Sequence, residues 1–319
     1  MSFNENISNK PILSVVIASY NSAENIVGCL ASLENQRTDK DFEIIVVDSS
    51  IDGSAKLVEE KFPGVKLYRF STRKFCGDAR NFGISIAEGE IVAFIDADCI
   101  ADEDWVNEIL KAHKSLYPAI GGSIANGNPE SYVGWASYFC EFSQWMPNSH
   151  DKWLKDIAGA NMSYKRNVFE KYGDFIEGTY CSDTDFHWRM WENGHPLRFV
   201  SSIHIHHCNI ENLIRFLRHE YEHGLAFARV RIKSRSFSKL RRFVYSLLFP
   251  LIALKLFVKI GIINFKNRIY LSHLLKVLPL FTVGLIAWSL GEGVGYLTGI
   301  KEEKHLIEKG GDHASRFAL

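Results

Sequence analysis

The sequence predicts an α/β protein: a mostly parallel sheet flanked by helices, with apolar helices near the C-terminus. Two observations lead to this fold class. In the first hundred residues, short apolar runs alternate with segments of helical periodicity, and such alternation with short connections is typical of a parallel sheet covered on both faces. Near the end of the chain, two long apolar segments follow a stretch rich in Lys and Arg.

The elements follow one another in a regular order. The β-branched run "ILSVVIASYN" (12–21) predicts a buried strand, and Ser22 is a suitable N-cap for the helical pattern after it. "FEIIVVD" predicts a second strand ending in Asp48, "VKLYRF" a third and "IVAFI" a fourth, with helical segments between them. In such sheets ligands bind beyond the carboxyl ends of the strands. Polar residues stand at those ends, so we expect a ligand site there.

The overall composition narrows the function classes. Lys plus Arg number 37 and Asp plus Glu number 37, so the chain has no net charge with which to attract nucleic acid. The six cysteines are scattered without a CxxC pair, which indicates reduced thiols in a cytosolic compartment rather than disulfides or a cysteine zinc site. The polar N-terminus shows no secretory signal.

The fourth strand runs directly into Asp96-Ala97-Asp98. Two carboxylates at the rim of a sheet are costly if they are dry and unpaired. In an extended chain Asp96 and Asp98 point the same way while Ala97 points away. Carboxylate oxygens suit Mg²⁺ or Mn²⁺ bridging to a substrate phosphate. The sequence therefore predicts a divalent metal and a phosphate-bearing ligand at this position.

Four blocks of the sequence resemble the family 2 glycosyltransferases, which have the GT-A fold: "SVVIASYN", "EIIVVDSSIDGS", "ARNFGISIAEGEIVAFIDAD" and "GANMSYKRNVFEKYGDF". They occur in the family's order within residues 12–207. The resemblance implies an inverting transfer from a nucleotide-sugar donor with Mn²⁺ or Mg²⁺ as the metal. By position it implies that the nucleobase, uracil in many relatives, is contacted by Ala18, Tyr20, Asn21 and Asp48. It also implies that Arg80 contacts the nucleotide and that Asp96, beside Ala97, contacts the ribose. Asp98 would bind the metal.

An inverting transfer needs a general base on the acceptor side. The segment "YCSDTDFHWRMWENG" places Asp183 at the start of a predicted helix, and the resemblance gives this residue the role of base. A Glu usually precedes it in the family, and Ser182 stands there instead. Asp185 is the alternative base, although on a helix the two carboxylates would point about 200° apart. A third interpretation is that Asp183 only caps the helix.

The segment "FVSSIHIHHCN" offers histidines for the metal, which the resemblance places after this strand. Strand alternation puts His204 and His206 on one face and His207 on the other. We expect His206 to complete the metal shell, with His204 as the alternative. A zinc site formed by all three histidines and a purely structural role are the remaining interpretations.

The C-terminal third of the sequence indicates that the protein associates with a membrane. Segments 243–263 and 274–300 are near the roughly 20 residues needed to cross a bilayer, and the Lys and Arg residues of 229–242, with no acidic residue among them, favour the cytoplasmic side. We expect two membrane-associated or transmembrane helices at the cytoplasmic face of the cell membrane; the alternative is two buried helices of a soluble domain. The expected division is a polar segment 1–10, a catalytic domain 11–209, a basic connector 210–242, apolar helices 243–300 and a polar tail 301–319.

The acceptor is expected to be a lipid-linked or envelope glycan, because the catalytic domain would sit at the membrane. The Q-x-x-R-W pattern of processive relatives is absent, so we expect transfer of a single sugar. The aromatic segment 131–146 is either a packed amphipathic helix or a platform for the acceptor. A membrane-tethered nucleotide-sugar-binding protein without catalysis is the alternative function. A nicotinamide oxidoreductase is excluded because no G-x-G-x-x-G follows the first strand.

Overall fold

The structure, a computed structural model, describes residues 10–299. The predicted tail 301–319 and almost all of the predicted segment 1–10 lie outside the described residues. The first part alternates strands and helices as predicted: β1 (Leu13–Ser19), α1 (Ile26–Glu34), β2 (Phe42–Asp48), α2 (Ser54–Lys61), β3 (Lys66–Arg69), α3 (Cys76–Ile86) and β4 (Ile91–Ile95). These strands are parallel and lie in the order β3-β2-β1-β4.

The second part extends the sheet with antiparallel strands. Its elements are β5 (Cys99–Ala101), α4 (Trp105–His113), β6 (Ala119–Asn126), α5 (Tyr132–Phe142), β7 (Lys152–Leu154), β8 (Asn161–Lys165), α6 (Asn167–Tyr172), α7 (Ser182–Glu192) and β9 (Leu197–His207). Across the described residues the sheet has nine strands in the order β3-β2-β1-β4-β8-β6-β9-β5, with β7 also paired to β9. β8 is antiparallel to β4 and β6, whereas β9 is parallel to β6. The predicted parallel arrangement therefore holds for the first half, and the sheet as a whole is mixed.

Alternating side chains of the central strands build an apolar core on each face of the sheet. Val15 and Ile17 of β1 pack on the face covered by α1, α4, α5 and the C-terminal helix of residues 271–298, and Val16 packs on the face covered by α3, α6 and α7. Because helices cover both faces, polar groups carried by the strands reach an open cavity at the strand ends.

Four helices follow the sheet: α8 (Leu213–Arg235), α9 (Lys239–Leu247), α10 (Phe249–Asn267) and α11 (Leu271–Thr298). The predicted apolar segment 243–263 is not one long helix, because α9 and α10 meet at a bend of 63°. Pro250 in the first turn of α10 explains the break, since proline lacks an N–H and its ring clashes with the preceding turn. Among the described helices, α11 alone is long and apolar enough by itself to cross a membrane.

Candidate active site

The carboxyl ends of β1 and β2 form one end of the site. Asp48, the last residue of β2, is buried, and its carboxylate accepts hydrogen bonds from the hydroxyls of Ser19 and Ser50, both at 2.6 Å. Asn21 follows β1 in the left-handed region (φ 53°), and its Oδ1 accepts a hydrogen bond from the N–H of Ile51 at 3.1 Å. These contacts fix the two strand-end loops against each other.

Tyr20 lies at the rim of this end of the site, 39% exposed. The guanidinium of Arg73 stands 4.3 Å from the centroid of the Tyr20 ring and donates a hydrogen bond to the hydroxyl of Tyr180 at 2.8 Å. Ala18 is half-buried on β1 two residues earlier. Arg73 was not predicted from the sequence, because no local pattern marks a loop arginine whose partner is far away in the chain.

Buried Arg80 of α3 and half-buried Asp96 at the end of β4 form an ion pair. Arg80 Nη2 donates to Asp96 Oδ1 and to the carbonyl of Gly159, both at 3.1 Å. Burial raises the pKa of Asp96; the Arg80 guanidinium opposes this rise, and the Asp98 carboxylate adds to it. The methyl group of Ala97 is buried in the apolar core, so its backbone is the part available to a ligand.

Asp98 faces His207, the last residue of β9. His207 Nε2 lies 3.4 Å from Asp98 Oδ1, and its Nδ1 lies 3.2 Å from Asn209 Oδ1. The Asn209 side-chain amide donates to Asn126 Oδ1 at 2.8 Å, which leaves Asn209 Oδ1 to accept the His207 Nδ1–H. His207 Nε2 is then turned towards Asp98. A histidine oriented through its other ring nitrogen is the usual arrangement of a metal ligand.

The predicted pairing of Asp98 with His206 is not found. His206 Nε2 lies 3.2 Å from Asp102 Oδ1, and its ring lies 4.9 Å from that of His204. The alternation predicted for the strand is correct, but the face turned towards Asp98 is that of His207. Which face of a strand meets a distant carboxylate depends on how the strand packs in the sheet, and alternation alone does not determine it. The three histidines do not converge, which also argues against a site formed by all three.

Asp183 and Asp185 both lie in the first turn of α7 but have different surroundings. Asp185 is buried; its carboxylate accepts hydrogen bonds from Arg189 Nε at 3.0 Å and from the Ser234 hydroxyl. Within residues 10–299, no hydrogen bond or ion pair engages the carboxylate of Asp183, which lines a cavity. The hydrogen bonds of Asp185 thus connect α7 to α8, whereas the carboxylate of Asp183 has no protein partner within the described residues and can contact a ligand in the cavity.

Asp156 lies in the same cavity wall and belongs to a buried chain of hydrogen bonds. His187 Nδ1 is 2.5 Å from Asp156 Oδ1, and His187 Nε2 is 2.6 Å from the hydroxyl of Tyr164. Burial raises the pKa of Asp156, and the hydrogen bond from His187 opposes this rise. His187 sits one turn after Asp183 on α7, so this chain anchors the start of the helix.

One cavity of about 860 Å³ brings the central groups together. Its lining includes Arg80, Asp96, Asp98, Asp183 and His207. The residues around the ends of β1 and β2 lie beyond this lining, at the adjoining rim of the sheet. The predicted residues therefore divide into a strand-end group (Ala18, Tyr20, Asn21 and Asp48) and a cavity group that includes Arg80 and Asp96.

The aromatic residues of segment 131–146 lie partly in the core and partly in the cavity wall. Trp135, Tyr138 and Phe139 of α5 are buried in the core. Phe142 and Trp145 line the cavity. Most of this segment is thus packing, as the amphipathic-helix interpretation predicted, and its C-terminal end forms part of the cavity wall.

Comparison with known sequences decides the family. The family model for "Glycosyl transferase family 2" matches residues 14–173. The chain belongs to glycosyl transferase family 2. Among its relatives, glycosyltransferase AglE of Haloferax volcanii is 27% identical over 205 residues, covering 61% of this chain and 66% of AglE. Amylovoran biosynthesis glycosyltransferase AmsB of Erwinia amylovora is 36% identical over 115 residues, covering 34% of this chain and 36% of AmsB. The chain thus spans less than two thirds of the length of these relatives.

Solved structures agree with the GT-A fold of this family 2 glycosyltransferase. Mannosyltransferase PcManGT of Pyrobaculum calidifontis, solved with GDP-Man and Mn²⁺, superposes with a TM-score of 0.59 at 17% identity, covering 91% of this chain and 88% of that one. Residues 1–349 of S. aureus TarS, solved with UDP-GlcNAc, superpose with a TM-score of 0.52 at 16% identity, covering 88% and 90%. These superpositions show that the chain has a GT-A sheet.

Proposed function

We propose that this glycosyltransferase moves a single sugar from a nucleotide-sugar, with inversion at the anomeric carbon, to a lipid-linked or envelope-glycan acceptor. The observation that carries the proposal is the convergence of Arg80, Asp98, Asp183 and His207 on one cavity. Asp98 and His207 can bind a metal ion, and the Arg80 guanidinium supplies positive charge. Asp183 has a carboxylate without a protein partner within the described residues. Transfer of a sugar from a diphosphate requires these three kinds of group.

The donor is proposed to lie across the rim and the cavity. Tyr20, Asn21 and Asp48, with Ala18, would surround the base, and Asp96 would contact the ribose. Both fold neighbours bind nucleotide-sugars, GDP-Man in one and UDP-GlcNAc in the other. We propose a UDP-sugar, because the strand-end residues match the family positions that hold uracil in many relatives.

Asp98 and His207 would hold a divalent ion, Mn²⁺ or Mg²⁺. One carboxylate and one imidazole, the latter already oriented by Asn209, fit an ion that takes its other ligands from phosphate and water. The ion, when bound, supplies positive charge to the leaving diphosphate. The Mn²⁺ of PcManGT supports this assignment.

Asp183 is proposed as the general base. The acceptor oxygen forms a bond to the anomeric carbon as the bond from that carbon to the diphosphate oxygen breaks, and the bonding electrons leave with the nucleoside diphosphate. The hydroxyl proton passes to the Asp183 carboxylate. Attack on the face opposite the diphosphate gives inversion, and an uncommitted carboxylate at the cavity wall is suited to accept that proton.

The acceptor would enter from the side of the cavity formed by the C-terminal helices. Tyr245, Ile252, Lys255 and Leu256 line that side, next to the exposed apolar residues of α9 and α10. This placement supports an acceptor presented at a membrane surface. We propose that residues 11–209 form the catalytic domain and that the enzyme works at the cytoplasmic face of the membrane.

Replacement of the base tests the proposal. With each candidate nucleotide-sugar and a membrane extract as acceptor source, release of nucleoside diphosphate is measured for the wild type, Asp183→Asn and Glu177→Gln, an exposed carboxylate in the preceding segment. We expect Asp183→Asn to lower turnover by about 10²–10⁴-fold with donor affinity unchanged, and Glu177→Gln to behave as wild type. Equal turnover in all three proteins would rule out Asp183 as base.

A further inference from the structure

Three side chains that the proposed transfer does not use form a second cluster in the cavity wall. They are Glu141 of α5 and His219 and His223 of α8, and all three line the cavity. His219 Nε2 lies 3.4 Å from Glu141 Oε1, and the two imidazole rings are 4.2 Å apart between centroids. One ligand atom from each residue lies within 4.8 Å of the other two, so a single ion can touch all three.

The helix geometry explains why the two histidines meet. Residues four apart on a helix lie on the same face, one turn above each other. The segment reads "HEYEH", from His219 to His223, and H-E-x-x-H on a helix is the spacing with which two histidines bind one zinc ion. Glu141 lies on a different helix, α5, so a metal ion bound by all three residues would connect α5 to α8.

A buried carboxyl group beside the cluster is a second observation. Glu220 is 1% exposed, and its Oε1 has no hydrogen-bond partner within the described residues. An unpartnered polar oxygen is costly in a protein interior. Glu220 directly follows the proposed ligand His219 on α8, so an ion held by the cluster would lie close to this carboxyl group.

We propose that Glu141, His219 and His223 bind a divalent transition-metal ion of the zinc class, at a site separate from Asp98 and His207. Two imidazoles and one carboxylate are a common ligand set of zinc sites that keep one coordination position open. Because the three residues line the cavity, a phosphate or hydroxyl group in the cavity can take that position. The inference does not depend on the proposed transfer reaction.

Metal binding without turnover tests the site. The full chain in detergent is stripped with a chelator and dialysed against Zn²⁺, and bound zinc is measured. The background is the variant His206→Ala/His207→Ala, which removes a histidine from each of the other two potential metal-binding clusters found within residues 10–299. We expect one zinc ion per chain in this background. Adding His223→Ala should lower the affinity by more than about 100-fold, beyond the usual effect of losing an outer partner of a metal ligand, whereas Glu222→Gln on the same helix should leave it unchanged.

A rescue variant separates metal binding from folding. His223→Cys in the same background keeps a zinc ligand, so we expect it to retain zinc and, when loaded with Co²⁺, to show a thiolate-to-cobalt charge-transfer band in the near ultraviolet. Circular dichroism checks that each variant is folded. Absence of bound zinc in the background variant, or unchanged zinc affinity in folded His223→Ala, would overturn the proposal, as would a folded His223→Cys without the cobalt band.

Discussion

At the scale of single residues, Gly159 allows the guanidinium of Arg80 and the carboxylate of Asp183, the proposed base, to lie close together. The carbonyl of Gly159 accepts a hydrogen bond from Arg80 at 3.1 Å. A β-carbon at position 159 would lie 2.6 Å from Asp183 Oδ2 and 3.0 Å from Arg80 Nη2. Both side chains therefore occupy space that any other residue at this position would fill.

Gly159→Ala should damage activity more than stability. The added methyl group meets the ends of two side chains, which can move, so we expect the fold to persist while Asp183 and Arg80 are displaced. A misplacement of about 1 Å can cost about 10²-fold in rate. The measurement is turnover beside thermal unfolding, with Gly64→Ala as the control because a β-carbon at 64 meets nothing within 4 Å. Full turnover in Gly159→Ala would contradict this description of the site.

At the scale of elements, the contact between α8 and α11 depends on small residues. A β-carbon at Gly224 of α8 would lie 2.0 Å from the carbonyl oxygen of Trp288, and one at Gly291 of α11 would lie 2.0 Å from that of Tyr221. The two backbones thus touch, as helices do where glycines face each other. This contact holds α11 to the helix that carries His219 and His223 and so keeps the cavity wall in place.

Gly291→Ala should therefore destabilise the enzyme. The clash is with backbone, which cannot rotate away, so the helices must separate, at a cost of about 1–3 kcal/mol. The matched control is Gly261→Ala in α10, where a β-carbon meets nothing within 4 Å and alanine favours the helix. The check is chemical or thermal unfolding in detergent, and equal stability of the two variants would show that the helices are not packed at Gly291.

At the scale of the whole molecule, one surface is apolar. Exposed apolar side chains recur every three or four residues along α9 and α10: Leu240, Phe243, Val244, Leu247, Leu251, Leu254, Val258, Ile262 and Phe265. Lys255 and Lys259 lie among them. Such a surface, flanked by basic residues, suits the interface of an anionic membrane, and we propose that it attaches the enzyme there.

Charge placed on this surface should weaken membrane binding. Leu247 and Leu251 would be buried in the lipid, and loss of that burial removes about 1.5–3 kcal/mol for each residue. Leu247→Glu/Leu251→Glu should therefore reduce binding to vesicles containing anionic lipid by at least about 100-fold. Leu116→Glu is the control, because Leu116 is 94% exposed in the loop between α4 and β6. Flotation with vesicles measures the effect. Unchanged binding of the double variant would indicate attachment through another element, with α11 the candidate.

The parts of the site that sequence predicts are those set by local pattern. Strand periodicity located the ends of β1, β2 and β4, and thereby Asp48 and Asp96, because the carboxyl ends of neighbouring parallel strands share one edge. Helical periodicity located the start of α7, where Asp183 is found. The GT-A fold followed from the resemblance and is confirmed by the family match and by the superposed structures.

The parts that sequence did not predict depend on contacts between distant segments. The choice of His207 over His206 turns on which face of β9 meets Asp98. The roles of Gly159 and Arg73 require loops to come together that are far apart in the chain. The break between α9 and α10 had a local signal, Pro250, which the length and apolar character of the segment concealed.

Nucleotide binding tests the central claim most directly. Binding of UDP, GDP, dTDP and CDP to the detergent-solubilised enzyme is measured with and without Mn²⁺, for the wild type, Asp98→Ala, His207→Ala and His206→Ala. The account predicts metal-dependent binding of one nucleotide, lost in Asp98→Ala and His207→Ala and retained in His206→Ala. Binding that is indifferent to metal and to Asp98, or that is lost in His206→Ala but kept in His207→Ala, would contradict it.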